Sequence, residues 1–468
     1  MIDDSMKDKL LCCQCIDEAY LKNMVSETGS EGTCNFCGVV ACSFTLGELS
    51  ELVEGVFEDH YQMSFPQMPD YAPDGEPAAE AIMNLGGFPE NAAVQIREIL
   101  EDDYYSFDAV AEGEAIPFGD DTYYVESSVD VRDLESQWGE FERTLKTEAR
   151  FFNAKGFALL ESIFTGLEEL STKSAKSALL NAGPGCEIDH LYRARVFQST
   201  TELQKALIDP VRELGPPPAN QAVAGRMNAQ GIAVFYGSDQ PEIAVAEVRP
   251  PVGSEVAVAK FEIIKELVLL DLTAFPALSP SGSLFDPVFS EKRRKTQFLK
   301  NLSHQMAIPV MPNEQANEYL VTQAIADFLS YKTDVVIDGI IYPSVQTDQT
   351  GTNVILFHKS SRVEAISHPE NIRISSSVRD LAPEGYEKSY TIYEEKISED
   401  TVNAYRKIDP FNTIYGHGRY TRDNRKPVLR LDTDHISIHD IKGVRYTKDV
   451  QPVFKMETDY SSSQDLDW

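Results

Sequence analysis

At 468 residues the chain is long enough for two to four domains, and its 42% hydrophobic content is sufficient for ordinary cores. Its formal net charge of -33 opposes non-specific binding to nucleic acid and to anionic membranes, both of them polyanions, while leaving room for a local basic pocket. No run of about 18 apolar residues marks a membrane-spanning helix, and the acidic start Met1-Ile2-Asp3-Asp4-Ser5-Met6-Lys7-Asp8 lacks the apolar stretch of a signal peptide. The expectation is a cytoplasmic protein whose cysteines are reduced thiols or metal ligands.

Six of the seven cysteines lie in the first 42 residues. Cys12 and Cys15 form one C-x-x-C, and Cys34 and Cys37 form a second, at zinc-ribbon spacing. Two such knuckles can present four thiolates tetrahedrally to one structural Zn2+. Cys13 and Cys42 are extra, which leaves the ligand set open. A redox pair or free core cysteines are the other readings.

Thr45-Leu46-Gly47-Glu48 reads as a capping box that opens a helix with Leu49, Leu52, Val53, Val56 and Phe57 on one stripe. Pro66, Pro69, Pro73 and Pro77 then break the chain. Helical patterns follow at 76–86 and 90–102. The stretch 101–124 is acidic and irregular, and its tyrosines Tyr104, Tyr105, Tyr123 and Tyr124 read as local core. Residues 131–171 form the longest helical stretch, with Leu134, Trp138, Phe141, Leu145, Arg150, Phe151 and Phe152 along it and Gly156 as a break point. The expected domains are a zinc ribbon at 1–44 and an all-α unit at 45–180.

After Gly183-Pro184-Gly185 the pattern turns to mixed α/β. Strands are expected at 256–261, 267–272, 335–342 and 353–358, with an amphipathic helix at 313–331. From about 370 the pattern is β-rich, with Ile436, Ile438 and Val444 as core, and residues 461–468 read as a loose tail. His435 and His439 share one strand face; without a third ligand they read as surface or packing residues.

The segment from Ala224 to Pro250 stands out. Gly225-Arg226-Met227-Asn228 reads as a turn, followed by a short apolar run from Ile232 to Phe235, a buried strand that ends on Tyr236. A Pro241 start signal then opens a short helix that carries Glu247 between apolar residues, so the carboxylate is at least half-buried and needs a partner or a task. From the residues alone, Glu247 reads equally well as a helix carboxylate paired with Arg249 or Arg193. Arg226 also reads as a surface ion pair, and Tyr236 more readily as plain core packing.

These motifs, taken with Leu191-Tyr192-Arg193-Ala194-Arg195, Ala246-Glu247-Val248, Tyr342-Pro343-Ser344 and Asn353, resemble in order the RES domain, a family named for its arginine, glutamate and serine. The helix holding Gln323 and Asp327 also resembles that family. The resemblance runs from Leu191 to about His358. The first 175 residues resemble the cysteine-rich HEPN/RES N-terminal module. Arg150 there is followed by no histidine, so the ribonuclease motif of catalytic HEPN proteins is missing. The implied architecture is α+β, with a RES catalytic domain at 181–368 similar to the ADP-ribosyltransferase fold. It follows the ribbon and the all-α unit and precedes a β-rich extension at 369–468.

The resemblance implies an enzyme that degrades NAD+ at the nicotinamide–ribose bond by phosphorolysis or hydrolysis. Such enzymes act as toxins restrained by an antitoxin or immunity partner, or as anti-phage abortive-defence effectors. A protein ADP-ribosyltransferase and a catalytically silent interaction module are the alternatives, and a homo-oligomer is compatible with any of them. In this reading Glu247 stabilises positive charge on the ribose. Arg226 holds a pyrophosphate or an incoming phosphate, and Tyr236 stacks on nicotinamide while its hydroxyl bonds to ribose or phosphate. Ser344 orients the ribose or the amide, and is no nucleophile because no histidine is placed to activate it. Arg193 is a second anion-binding residue, not separable from Arg195 on its strand face. Asn353 supports the site or caps its strand. No Gly-x-Gly-x-x-Gly follows a strand, so NAD+ is expected as substrate and not as a recycled cofactor.

Overall fold

The computed structural model describes residues 5–65, 73–107, 115–331, 334–347, 350–369, 371–382, 385–398, 423–445 and 447–456. Near the start, β1 (Leu10–Cys12), β2 (Ser30–Thr33) and β3 (Val40–Thr45) pair antiparallel in the order β1-β3-β2. Thr45 then caps the helix Leu46–His60: its hydroxyl accepts the Glu48 N–H, and the Glu48 carboxylate accepts the Thr45 N–H at 2.8 Å. The expected capping box is therefore present, and such caps contribute about 1 kcal/mol. Leu49, Val53, Val56 and Phe57 of this helix share one core with Leu11, Cys12 and the helices Ala78–Gly86 and Glu90–Tyr104. The cysteine knuckles and the following helices thus form one packed body.

The segment expected to be all-α contains a small sheet. In it β4 (Tyr61–Ser64), β5 (Glu76–Pro77) and β6 (Tyr123–Glu126) pair in the order β4-β6-β5. Tyr124 on β6 packs edge-on against Phe57 and stacks on Phe118, so a tyrosine from the acidic stretch does enter the core. Tyr105 stays exposed. The long helical stretch splits into Arg132–Thr147 and Ala154–Phe164, with the break at 148–153 and not at Gly156. Asn153 caps the second helix by accepting the Gly156 N–H at 2.8 Å. Phe151 and Phe152, expected along a helix, lie in the connecting loop and are each more than nine-tenths exposed.

The central sheet has eight strands. They are β7 (Leu179–Ala182), β8 (His190–Phe197), β9 (Phe235–Ser238), β10 (Glu255–Ile263), β11 (Leu267–Asp271), β12 (Gly339–Pro343), β13 (Thr352–Leu356) and, after the hairpin β14 (Ile372–Ala382) and β15 (Gly385–Lys396), β16 (Leu429–Asp440). Their order is β16-β10-β8-β9-β13-β12-β11-β7. Only β11 and β12 run parallel; every other neighbour pair is antiparallel. The β11–β12 crossover carries the helices Pro287–Ala307 and Gln315–Tyr331.

Two cores sandwich this sheet. On one side Trp138, Phe141, Leu160 and Phe164 pack in the same cluster as Leu270, Phe298, Ile325 and Phe328. On the other, Phe197, Phe235, Phe261 and Leu431 pack with Leu203 and Leu207 of the helix Thr200–Ile208. Packing is therefore continuous across the expected boundaries at 180 and 369: the helices before 180 cover the sheet, and β16 extends it along β10.

Three strand expectations are corrected. Residues 335–338 precede β12 as irregular chain with Val336 exposed, and Asp338 accepts the Val268 N–H at 3.0 Å there. The strand expected from Ile232 begins only at Phe235, and β13 ends at Leu356 with His358 in a short 3-10 turn. Ile436 and Ile438 pack against the core as expected, but Val444 is exposed, because an apolar residue in an edge segment has nothing to cover it. His435 and His439 bond to Asp432 and Ser437 at exposed positions, in line with surface residues. The tail at 461–468 lies outside the described residues. Among the described residues, no helix is long and apolar enough to cross a membrane.

Candidate active site

A cavity of about 490 Å³ opens where β8, β9, β12 and β13 meet the helices Pro241–Glu247 and Gln315–Tyr331. Its size falls in the range of small-molecule sites, roughly 300–1,000 Å³. Arg193, Arg226, Tyr236, Glu247 and Asn353 all line it, as do Tyr192, Arg249, Tyr319 and Tyr342.

Glu247 is the last residue of its helix. Pro241 starts that helix, and Ile243 and Ala244 bury its inner side, so the half-buried carboxylate is delivered at the cavity wall. Two donors converge on its Oε1: the Ser344 hydroxyl at 2.7 Å and the Asn353 side-chain amide at 2.7 Å. Asn353 is oriented in turn by Ser238, whose hydroxyl donates to its Oδ1 at 2.7 Å. All three supports are buried, Ser344 to 0% exposure. Among the described residues, Oε2 carries no hydrogen bond, and neither Arg249 nor Arg193 pairs with this carboxylate.

The turn carrying Arg226 is held from two sides. Tyr236 donates its hydroxyl to Asn228 Oδ1 at 2.9 Å and accepts the Met227 N–H at 3.1 Å, while Asn228 donates to the carbonyls of Val223 and Ile232. A Cβ at position 225 would lie 2.7 Å from the Tyr236 hydroxyl, so only glycine fits this close approach. From the opposite side, Gln323 donates to the Gly225 carbonyl at 2.8 Å, and the Thr322 hydroxyl donates to that of Arg226. The guanidinium of Arg226 donates to the carbonyls of Met306 and Ile308 and lies 5.5 Å from the Tyr319 ring centroid.

Arg193 donates to the carbonyls of Leu214 and Tyr236, at 3.0 and 2.8 Å, and burial pulls its pKa down to about 10. It stays charged at neutral pH. Arg195 points elsewhere, exposed and paired with Glu213 at 2.7 Å, so the structure separates two arginines that the strand pattern could not. Burial pushes the Tyr236 phenol up to about 12, and it raises that of Tyr342 well above the ordinary phenol value. Both rings are therefore neutral donors with apolar faces. Among the described residues no carboxylate pairs with Arg193, Arg226 or Arg249. Three arginines and one carboxylate thus line the cavity, a local excess of positive charge on an acidic chain.

The structure thus brings together all six residues expected here. Ser344 does not itself line the cavity: its hydroxyl is buried and donates to Glu247. Ser238, Tyr192, Tyr319 and Tyr342 were not anticipated. Tyr192, beside Arg193, and Tyr342, beside Pro343-Ser344, lay within motifs that could have pointed to them.

Near the start of the chain, the sulfurs of Cys12, Cys15, Cys34 and Cys37 all lie within 4.8 Å of one another. Three separations are 3.5, 3.7 and 3.9 Å. Tetrahedral thiolates on bonds of roughly 2.3 Å stand about 3.8 Å apart, so this cluster can hold a metal ion. Cys13 and Cys42 lie outside it.

No curated protein and no solved structure matches the chain. A family model described as the RES domain matches residues 190–377, a span that contains Glu247, its three supporting side chains and every arginine of the cavity. Residues 190–377 are thus similar to the RES domain, and the candidate site lies wholly within that segment.

Proposed function

We propose that the cavity cleaves NAD+ at the nicotinamide–ribose bond, with inorganic phosphate or water as acceptor. The observation that carries this reading is Glu247: buried donors hold one of its oxygens and leave the other without a protein partner, in a cavity rich in arginine. Departure of nicotinamide takes the C–N electron pair onto the ring nitrogen, which becomes neutral, and leaves positive charge on the ribose. A preorganised carboxylate favours that charge over the ground state. Arg226 and Arg193, already oriented by carbonyls, suit the pyrophosphate. The Tyr236 hydroxyl is occupied by Asn228, so its contribution to a ligand is its ring face.

The ADP-ribosyltransferase-like fold expected for this domain belongs to the same proposal. An enzyme of this kind would drain its own cell of NAD+, which supports a toxin or abortive-defence role in the cytoplasm and restraint by an antitoxin-like partner. We assign zinc to the four thiolates, where it would be structural, since four protein ligands leave no open position.

The test is to incubate purified full-length protein with NAD+, with and without phosphate. Phosphorolysis gives ADP-ribose 1-phosphate only with phosphate, and hydrolysis gives ADP-ribose in both. Label appearing on protein would replace this reading with protein ADP-ribosylation. NAD+ left intact after hours at high enzyme concentration would leave a non-catalytic interaction module.

A further inference from the structure

We infer that Arg249 is the residue that takes a phosphate group from the ligand. This rests on the NAD+-cleaving reading above and adds a specificity-determining residue to it. Of the three cavity arginines, Arg193 and Arg226 are each oriented by two backbone carbonyls. Arg249 lines the same cavity, yet its guanidinium has no hydrogen bond or ion pair among the described residues. That is unusual in a chain with 75 acidic and 42 basic residues, where an exposed arginine readily finds a carboxylate.

Its backbone points the same way. Arg249 has φ 45°, in the left-handed region that a long side chain seldom occupies. The turn is closed by its N–H, which donates to the Ala246 carbonyl at 3.1 Å, while Pro250 favours an extended residue before it and so adds to the cost of the positive φ. Glycine would make this turn without strain, whereas arginine there holds an unpaired cation at the cavity wall, two residues beyond Glu247. Strain kept at a cavity wall is a mark of a ligand contact. A guanidinium fork matches phosphate oxygens, and this one has all its donors available.

The phosphate has two possible sources, the pyrophosphate of the dinucleotide or a free phosphate acceptor. In the second case, a phosphate oxygen bonds to the ribose carbon as the C–N bond breaks. The C–N pair leaves with nicotinamide, and the phosphate proton stays on the phosphate.

The experiment compares full-length wild type with Arg249→Gly and Arg249→Lys. Calorimetric titrations use ADP-ribose and, separately, inorganic phosphate, and the KM for phosphate is measured with NAD+ in excess. Glycine relaxes the backbone, so its variant should unfold at or above the wild-type temperature, and lost binding then reports the side chain. We expect one of the two anions to bind about tenfold more weakly or worse in Arg249→Gly, with Arg249→Lys in between. Weaker ADP-ribose binding identifies the pyrophosphate as the source. A raised KM for phosphate with unchanged ADP-ribose affinity identifies the free acceptor. Both affinities unchanged would overturn the inference while wild-type turnover stands. Wild type that neither binds these anions nor consumes NAD+ would instead remove the functional reading beneath it.

Discussion

Ser344 and Asn353 both donate to one oxygen of Glu247, and removing them in turn tests whether that carboxylate works as a fixed charge. Ser344→Ala deletes a single buried hydroxyl and keeps the shape of the side chain. A hydrogen bond to a charged group contributes about 1.5–3 kcal/mol, and about 1.4 kcal/mol of barrier is tenfold in rate. Loss of one bond therefore predicts about a 10- to 150-fold drop in kcat. The surviving donor still holds the same oxygen, so each single variant should fall near the lower end. Ser344→Ala with Asn353→Ala leaves that oxygen unsupported, and the combined loss should exceed the product of the two single losses. The KM for NAD+ should move little, because the carboxylate acts on charge that develops only as the bond breaks. Initial rates of NAD+ loss across a substrate series give both constants. If the double variant kept kcat within about twofold of wild type, Glu247 would not need its supports and this account of the site would fail.

Three further outcomes are expected. His60 sits at the seam between the helices Leu46–His60 and Pro287–Ala307, 2.8 Å from the Ser290 hydroxyl and 3.3 Å from the Arg293 guanidinium, and burial, with Arg293 next, lowers its pKa. The folded protein refuses a proton that the unfolded chain accepts, so this stability is complete above the ordinary histidine range and is lost as pH falls below about 6.5. Melting temperature should thus drop on acidification, and His60→Gln should flatten that drop; equal slopes in the two proteins would remove His60 from the account. A chain cut to 181–468 loses Trp138, Phe141, Leu160 and Phe164 from a shared core, and should bind a hydrophobic dye and turn over no more NAD+ than the full chain. A stable, more active fragment would instead make the N-terminal region an inhibitor. Elemental analysis should find one zinc per chain, and Cys34→Ser should lose the metal and melt earlier; wild type free of metal and equally stable would refute the zinc assignment.

What the sequence disclosed, and what it hid, follows from the range of each interaction. The capping box at Thr45 and Glu48 spans three residues and could be read directly. The two cysteine pairs could be read as well, because a C-x-x-C knuckle is local and two of them suffice for one ion. The stretch from Gly225 to Glu247 announced itself through an acid among apolar neighbours. The bond from Ser344 to Glu247 joins residues 97 apart, and that from Ser238 to Asn353 joins residues 115 apart. No local pattern contains such pairings, so Ser344 was expected to face a ligand and Ser238 was not noticed. The strand Tyr123–Glu126 was hidden in the same way, since its partners begin at Tyr61. The helical periodicity of 132–164 correctly told of a buried face. It could not tell that the cover would be one side of the central eight-stranded sheet.

The position of β13 sets when this site can exist at all. It lies between β9 and β12, and it alone brings Asn353 to Glu247. A ribosome that has produced the arginine turn, the carboxylate and even Ser344 has still released a chain whose two halves of the sheet have nothing between them. Pairings of such long range form late. The growing chain therefore lacks the Asn353 bond to its carboxylate until residue 353 has emerged, and the complete cavity wall is withheld through most of its own synthesis.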